Sequence, residues 1–192
     1  RQTVEKIIST QMPQPAGRNL QGVMKHFNSI KIDDSTTIAL PAALRNEFPG
    51  NVSKGERKAQ AKIHAMYNLT ENNFPFLNVY SFSNNDQSLS STVLPYLNEG
   101  DLCIRDLGFT VLDVISAFNQ SGIYFIARKS FSSKVYDTQT GVEINMLKEL
   151  RKKKFVDREV LLGAKKVKVR LIALPLAPEQ AQARIRKARA DR

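Results

Sequence analysis

The 192-residue chain has no tryptophan, two histidines and one cysteine. A single cysteine cannot form an intrachain disulfide, which indicates a reducing compartment. Cys103 stands in the apolar stretch "LCI", where we expect a buried small hydrophobic residue. Neither His26 nor His64 has a cysteine or acidic partner at zinc-like spacing, so the sequence does not predict a zinc site.

Long hydrophobic runs are also missing. No apolar stretch approaches the roughly 20 residues of a membrane-spanning helix, and no cleavable signal pattern opens the chain. We therefore expect an intracellular protein. A glycine-rich phosphate loop and a GxSxG motif are absent too, which argues against the enzyme classes that depend on them.

Positive charge is in excess, and it is concentrated at one end of the chain. The net charge is +11, and the segment from Lys148 to Arg192 carries fifteen Lys and Arg against five Asp and Glu, a net +10. Such a segment is typical of proteins that bind a polyphosphate. A solvated basic face without a partner is the alternative.

The two ends of the sequence indicate a fragment of a longer protein. The first residue is Arg1 rather than Met, and the final "KARADR" stops within a helical pattern that has no cap or breaker.

Alternating hydrophobicity predicts the first strands. In "IKIDDSTTIAL", Ile30, Ile32 and Asp34 share one face of a strand, whereas Asp33 points to the other face. We expect a short helix in "PAALRNEF", a loop in "PGNVSKGE", and two further strands in "AKIHAMYNL" and "PFLNVYSF". Asp86 or Ser88 is the expected N-cap of the helix that follows.

The next segment predicts a strand, a helix and a strand with short joints. "DLCIRDLGF" is a strand with Asp106 at its end, "TVLDVISAFNQSG" has helical spacing, and "IYFIARK" is a strand. Such a unit implies a right-handed parallel crossover, and hence a mixed sheet with helices packed on it.

Beyond Lys129 the pattern becomes β-rich and basic. We expect a hairpin around "TQTG", a charged short helix or loop in "MLKELRKKK", strands in "REVLLG" and "KKVKVRLIALPL", and an Arg-rich final helix. Lys166, Lys168 and Arg170 alternate with apolar residues, which predicts a basic exposed face.

Two aspartates are the candidate catalytic residues. Asp34 and Asp106 each follow an apolar residue by two positions, and each lies on the inner parity of its own strand. If the strands are neighbours, the two carboxylates meet, as metal-dependent phosphoryl transfer requires. Aspartates that only turn the chain are the alternative, and Asp33 replaces Asp34 if the register differs.

The strings "KIDDSTTIALPAALRNEFPG", "KIHAMYNL" and "GDLCIRDLGFTVLDVISAFNQSGIYFIARKS" with "SKVYD" resemble the catalytic core of DDE transposases of bacterial insertion sequences, in the family numbered four. The resemblance covers roughly residues 30–190. It implies an α/β, ribonuclease-H-like mixed sheet flanked by helices, with a β-rich insertion subdomain at the C-terminal end. The expected divisions are a helical lead-in over 1–28, the first part of the catalytic core over 29–130, and the basic insertion over 131–192.

The resemblance also implies a metal site and a reaction. Asp34 and Asp106 would be catalytic ligands of Mg²⁺ or Mn²⁺, with two ions in the complete protein. The family's third acid is a glutamate in a Tyr, Arg, Glu signature, which this sequence does not contain, so the chain alone is expected to be inactive. The implied reaction is cleavage of phosphodiesters at transposon ends and transfer of the 3′-hydroxyl into target DNA.

The implied partner is double-stranded DNA, both transposon ends and target, in a cytoplasmic, nucleoid-associated protein. A homodimer of the full protein is compatible with the resemblance. Two alternatives stay open, a DNA-binding remnant without enzymatic activity and a ribonuclease-H-like nuclease. The basic side chains expected to position DNA phosphates are Arg128, Lys129, Arg151, Lys152, Lys153, Lys154, Lys165, Lys166, Lys168 and Arg170.

Overall fold

The computed structural model describes residues 22, 25–53, 55–130, 132–152, 155–174 and 176–190. The chain divides into two compact units, Arg1–Ser130 and Phe131–Arg192. Most of the expected lead-in over 1–28 lies outside the described residues, as do Lys153 and Lys154.

The first unit is built on a mixed β-sheet. Its strands are β1 (Ile30–Leu40), β2 (Pro49–Ser53), β3 (Glu56–Asn68), β4 (Asn73–Ser81), β5 (Leu102–Arg105) and β6 (Tyr124–Ala127). The order is β2, β3, β1, β5, β6, with β4 also paired to β3. Pairs among β1 to β4 are antiparallel, whereas β1 with β5 and β5 with β6 are parallel. The predicted α/β class with a mixed sheet is confirmed.

Short helices join these strands. α1 (Asp86–Leu89) runs directly into a 3₁₀ helix, Ser90–Tyr96, that accommodates Pro95, and α2 (Leu112–Gln120) connects β5 to β6. Two further 3₁₀ turns span Ala42–Leu44 and Leu107–Phe109.

Two local predictions were wrong. The expected loop after "NEF" contains β2, which pairs with the start of β3, and Gln60 on β3 accepts a hydrogen bond from the Asn51 amide through its side-chain oxygen. The N-cap of α1 is Asn85, whose side chain accepts from the Ser88 amide, because Asn85 keeps the extended backbone that a cap needs.

The helices cover one face of the sheet and form the core with it. The side chains of this core come from β3, β4, β5, α2 and the adjoining turns: Met66, Phe76, Val93, Leu97, Cys103, Val114, Phe118 and Ile123. Cys103 is fully buried as predicted, and burial raises the pKa of its thiol to about 12. It is therefore a small hydrophobic residue of the core rather than a reactive thiol.

The opposite face of the sheet carries exposed apolar side chains. Ile32 is 39% exposed, Val79 is 54% exposed, and Tyr124 and Ile126 are each 57% exposed. By strand register, Ile32, Ile104 and Ile126 lie side by side on this open face. The even positions of β1, including Asp34, therefore lie on the open face, and the odd positions lie on the covered face.

The second unit contains a three-stranded antiparallel sheet and two helices. The elements are β7 (Val135–Tyr136), α3 (Met146–Lys152), β8 (Val156–Leu162), β9 (Val167–Ala173) and α4 (Pro178–Ala190). A bridge between Tyr136 and Glu143 closes the predicted hairpin around "TQTG". No helix within the described part of the chain is long and apolar enough to cross a membrane.

Candidate functional site

The register of β1 against β5 extends to the residues directly before the two candidate aspartates. Ile30 pairs with Leu102, Ile32 with Ile104 and Asp33 with Arg105, so the two parallel strands keep a constant offset of 72 residues. The next positions in this register are Asp34 and Asp106. Asp34 is still within β1, whereas Asp106 lies one residue past the end of β5, so the register predicts that the two aspartates are neighbours across the two strands.

Asp34 lies on β1 with an exposed side chain on the open face of the sheet. Its Oδ1 accepts a hydrogen bond of 2.8 Å from the Ser35 amide. The carboxylate is therefore accessible to a ligand from solvent.

Asp106 directly follows β5, and its extended backbone leads into the 3₁₀ turn Leu107–Phe109. Hydrogen bonds from the Leu107 amide and from Arg128 hold the pKa of the Asp106 carboxyl below its usual value. Arg128 donates to Asp106 Oδ1 from Nε at 2.9 Å and from Nη2 at 2.5 Å. The Asp106 side chain is half exposed and that of Arg128 is 70% exposed, so this ion pair is open to water and to competing cations.

A buried ionic cluster lies directly behind these aspartates, on the covered face. Asp33 Oδ2 accepts hydrogen bonds from Arg105 Nε at 3.1 Å and Nη2 at 2.6 Å, and Asp33 Oδ1 lies 2.7 Å from His64 Nε2. Arg105 Nη2 also donates to the Ser90 carbonyl at 2.9 Å. The Asp33 and His64 side chains are fully buried. Asp33, the alternative acid, is thus already engaged inside the protein.

Aromatic rings enclose this cluster. His64 stacks on Phe109 with ring centroids 4.8 Å apart and meets Phe76 edge to face at 4.9 Å. The Arg105 guanidinium lies 5.5 Å from the Phe109 centroid and 5.4 Å from the Phe118 centroid. Such contacts favour a cation with little water around it.

A second buried polar cluster joins the other ends of β1 and β5. Asp101 accepts hydrogen bonds from Ser29 Oγ at 2.6 Å, Lys31 Nζ at 2.7 Å and the Asn98 amide at 2.8 Å. Burial alone would raise the pKa of the Asp101 carboxyl, but these hydrogen bonds and the Lys31 charge outweigh it and lower that pKa.

Asp86 contacts residues next to both candidate aspartates in the chain. Its Oδ1 accepts hydrogen bonds from Lys62 Nζ at 2.7 Å and Ser35 Oγ at 3.0 Å. A Cβ at Gly108 would lie 2.7 Å from Asp86 Oδ2, so the turn after Asp106 packs closely against this carboxylate. This contact explains the glycine in "RDLGF".

The ligand chemistry at Asp34 and Asp106 suits a hard divalent cation. Mg²⁺ takes oxygen ligands, keeps several waters and needs only one or two protein carboxylates, which two accessible aspartates, one within β1 and one directly after β5, can supply. Among the residues that the structure describes, no three His, Cys, Asp or Glu side chains gather closely enough to hold a metal ion.

Two of the predicted DNA-positioning residues, Arg128 and Lys129, directly follow β6 in the first unit. Arg128 follows β6 and is paired with Asp106. Lys129 is partly buried, its Nζ donates to the Ser130 carbonyl at 2.7 Å, and burial lowers the pKa of its amine.

The basic residues of the second unit lie on α3, β9 and the turn before β9. Arg151 and Lys152 end α3. Lys165 and Lys166 occupy the turn, where Lys166 lies 5.4 Å from the centroid of the Tyr136 ring. Lys168 and Arg170 are exposed on β9 and form ion pairs with Glu159 at 2.9 Å and Asp157 at 2.7 Å on β8. Acidic neighbours thus offset part of the predicted basic face.

The sequence interpretation did not identify Arg105 and His64 as members of a buried ionic cluster. A signal was present in the offset of 72 between Asp34 and Asp106, because the same offset sets Asp33 opposite Arg105, and this second pair is formed. Once β1 and β5 are aligned, Asp33 stands opposite Arg105, and these opposite charges predict the ion pair.

Comparison with known proteins finds transposases. The chain is 36% identical over 111 residues to the transposase for insertion sequence element IS231E of Bacillus thuringiensis subsp. finitimus, a match over 58% of this chain and 23% of the relative. It is 34% identical over 114 residues to that of IS231F of Bacillus thuringiensis subsp. israelensis, covering 59% of this chain and 24% of the relative. It is 26% identical over 119 residues to that of IS1151 of Clostridium perfringens, covering 62% of this chain and 25% of the relative.

The chain thus matches about a quarter of the length of these curated relatives. No protein-family model matches the chain.

Proposed function

We propose that this chain is part of the catalytic domain of a DDE-type DNA transposase with a ribonuclease-H-like fold. Asp34 and Asp106 are two of its catalytic acids, and the reaction is cleavage at transposon ends followed by strand transfer into target DNA. The observation that supports the proposal is the parallel pairing of β1 with β5, whose register, extended by one position beyond Asp33 and Arg105, sets Asp34 opposite Asp106. The similarity to transposases supports the reaction class.

The chemistry of these two residues is electrostatic. Asp34 and Asp106 would hold Mg²⁺ or Mn²⁺, which neutralises charge that develops on the phosphate oxygens. Two carboxylates carried by neighbouring backbone segments would need little reorganisation to bind the cation. The third acid of such a site would come from outside the described residues.

Arg128 has a second role in this proposal. It is exposed, it neighbours Asp106, and its guanidinium can bind a phosphate as well as a carboxylate. A cation at Asp106 would release Arg128 to contact the DNA backbone. The exposed basic residues of the second unit, Arg151, Lys168 and Arg170 among them, would add affinity that does not depend on DNA sequence.

An excision assay tests the proposal. The full reading frame that contains this chain is expressed beside a plasmid carrying the gene with its flanking DNA, and 3′-hydroxyl ends and joined products are measured with Mg²⁺ or Mn²⁺. We expect Asp34→Ala and Asp106→Ala each to lower product formation at least a hundredfold. Glu47→Ala is the matched control, since Glu47 is an exposed acid of the same unit.

Three other results would refute the proposal in different ways. Product formation that survives both aspartate substitutions would reject the site. Metal-dependent nicking without any joined product would favour the nuclease alternative. DNA binding by a wild-type protein that neither nicks nor joins DNA would favour the non-enzymatic alternative.

A further inference from the structure

The buried Asp33, Arg105 and His64 cluster lies one residue away from each proposed catalytic acid, on the opposite side of the sheet. Asp33 precedes Asp34, and Arg105 precedes Asp106. The Asp33 to Arg105 hydrogen bonds therefore connect the two strands at the last paired position before the acids.

The side chains on the open face would not by themselves fix the register between β1 and β5. On that face β1 presents Ile30, Ile32 and Asp34, and β5 presents Leu102 and Ile104 followed by Asp106. A slip of two residues would still pair one aliphatic side chain with another. It would also move Asp34 away from Asp106 by about 6.6 Å along the strand, far enough to separate the carboxylates.

The side chains on the covered face, by contrast, would not tolerate a shift in the register between β1 and β5. A two-residue shift would remove Asp33 from Arg105 and leave both charges buried, with side chains 0% and 1% exposed. An uncompensated buried charge is strongly unfavourable. The second cluster reinforces this register, because Lys31 and Ser29 reach Asp101 at the opposite ends of the same two strands.

Resting on the proposed function, we infer that Asp33, Arg105 and His64 are positioning residues, which set the β1 to β5 register and thereby hold the Asp34 and Asp106 carboxylates at metal-binding distance. None of the three touches the metal or the DNA in this role. Arg105 contributes most, because it alone bridges Asp33 and the Ser90 carbonyl, and so links β1 and β5 to the helical layer.

A purely stabilising role predicts a different result from a positioning role. Buried ion pairs contribute little net stability compared with apolar pairs of similar shape. The double variant Asp33→Asn/Arg105→Met keeps the net charge of the pair unchanged and removes the buried charges, so it should fold. If the pair serves only stability, this variant should bind metal like the wild type.

The test measures Mn²⁺ binding by electron paramagnetic resonance on the 192-residue chain, without any activity assay. We expect Asp33→Asn/Arg105→Met to weaken Mn²⁺ binding about tenfold and Arg105→Lys, which keeps the charge, to weaken it about threefold. Leu97→Ala is the control, since it opens a cavity in the same core and removes none of the cluster's hydrogen bonds. It should lower the urea midpoint and leave Mn²⁺ affinity within twofold.

Amide hydrogen exchange supplies a measurement that is independent of metal. In Asp33→Asn/Arg105→Met, the amide protection factors of residues 104–106 should fall at least tenfold more than those of residues 102 and 103. In Leu97→Ala, the protection factors of both groups should fall alike. Unchanged protection at 104–106 overturns the positioning role. So does wild-type Mn²⁺ affinity in both Arg105 variants.

The two proposals can fail separately. If Asp34→Ala and Asp106→Ala leave Mn²⁺ binding unchanged, the proposed site fails, and with it the metal-related part of the positioning role. Hydrogen exchange then still tests whether Asp33, Arg105 and His64 set the register between β1 and β5.

Discussion

Arg105 Nη2 lies 2.6 Å from Asp33 Oδ2 inside the sheet, with both side chains almost completely buried. The pair connects two parallel strands at a point where the next residue along the chain is in each case an aspartate that solvent can reach. Buried charge on one face thus lies directly behind accessible charge on the other face.

The first prediction concerns the stability of this pair. Arg105→Met should lower the free energy of unfolding by about 3 to 5 kcal/mol, because Asp33 would remain buried without its cation. The double variant Asp33→Asn/Arg105→Met should lose less than this single variant, since no uncompensated charge remains. Urea denaturation followed by circular dichroism gives both values.

The decisive comparison is between the unfolding free energy that the double variant loses and the losses of the two single variants. A double variant that loses as much as the sum of the Asp33→Asn and Arg105→Met losses would mean that the two side chains do not interact, against the geometry.

The pattern of the sequence is sufficient to predict much of this architecture. β-Branched and apolar residues alternate from Ile30 to Leu40, and the strand has these bounds. The unit of β5, α2 and β6 was predicted because short joints leave few topologies open. The predicted inner position of the two aspartates was wrong: Asp34 is exposed on the open face and Asp106 is half exposed, whereas Asp33 is the buried acid. Parity shows which residues share a face, but it does not show which face the helices cover.

Sequence periodicity could not predict β2 or the buried ion pairs. Pro49–Ser53 has little apolar alternation, and β2 forms because the edge of β3 next to β4 is long enough to accept it. Likewise, the burial of Asp33 depends on a partner 72 residues away. A sequence pattern can predict an ion pair between residues this far apart only after the two strands have been aligned with each other.

The second prediction concerns pH. The folded-state pKa of Asp101 is below its usual value of 3.8, so its contribution to stability is complete above about pH 4 and disappears as the pH falls through the lower folded pKa. Asp101→Asn should cost about 1.5 to 3 kcal/mol at pH 7 through weaker hydrogen bonds to Lys31 and Ser29. Urea midpoints between pH 7 and pH 2.5 measure the difference.

We expect the two midpoint curves to converge as the pH falls below 4, because the wild-type carboxyl is then protonated as well. A gap that stays constant down to pH 2.5 would contradict the assigned role of the ionised carboxylate.

The third prediction compares two glycines with left-handed backbones. Gly100 has φ +81° and Gly55 has φ +79°, but a Cβ at position 100 would lie 2.5 Å from Asn28 Nδ2, whereas nothing lies within 4 Å at position 55. Gly55→Ala should cost about 1 kcal/mol from the backbone alone. Gly100→Ala should cost about 1 to 3 kcal/mol more, because Asn28 must move.

Thermal unfolding of the two variants separates backbone strain from crowding. Asn28→Ala in the Gly100→Ala background should recover part of the additional loss, and equal melting temperatures for the two single variants would rule out the crowding.

The fourth prediction concerns Arg128 as a competitor of metal ions. Arg128→Ala should tighten Mn²⁺ binding about two- to fivefold, since it removes an exposed cation from the Asp106 carboxylate. Arg45→Ala is the control, because it removes an equal charge elsewhere in the same unit. Electron paramagnetic resonance titration measures both affinities, and equal gains in the two variants would reveal only a net-charge effect.

The fifth prediction concerns the second unit and DNA. Arg170 forms two hydrogen bonds of 2.7 Å with Asp157, which must weaken before Arg170 can bind a phosphate fully. Asp157→Asn should therefore tighten binding to a random-sequence duplex about twofold, while Arg170→Ala should weaken it. The slope of log affinity against log salt concentration should fall in magnitude by about 0.9 in Arg170→Ala, the value expected for one lost phosphate contact.

Glu143→Gln controls for the change in net charge, because Glu143 belongs to the same unit and pairs with Lys134 instead. If Asp157→Asn and Glu143→Gln tighten binding equally, overall charge explains the effect, and Arg170 is not a specific phosphate contact. An unchanged salt slope in Arg170→Ala would lead to the same conclusion. A larger effect of Asp157→Asn, together with the reduced slope, would place DNA on the β9 face, because only a side chain at the phosphate changes both quantities.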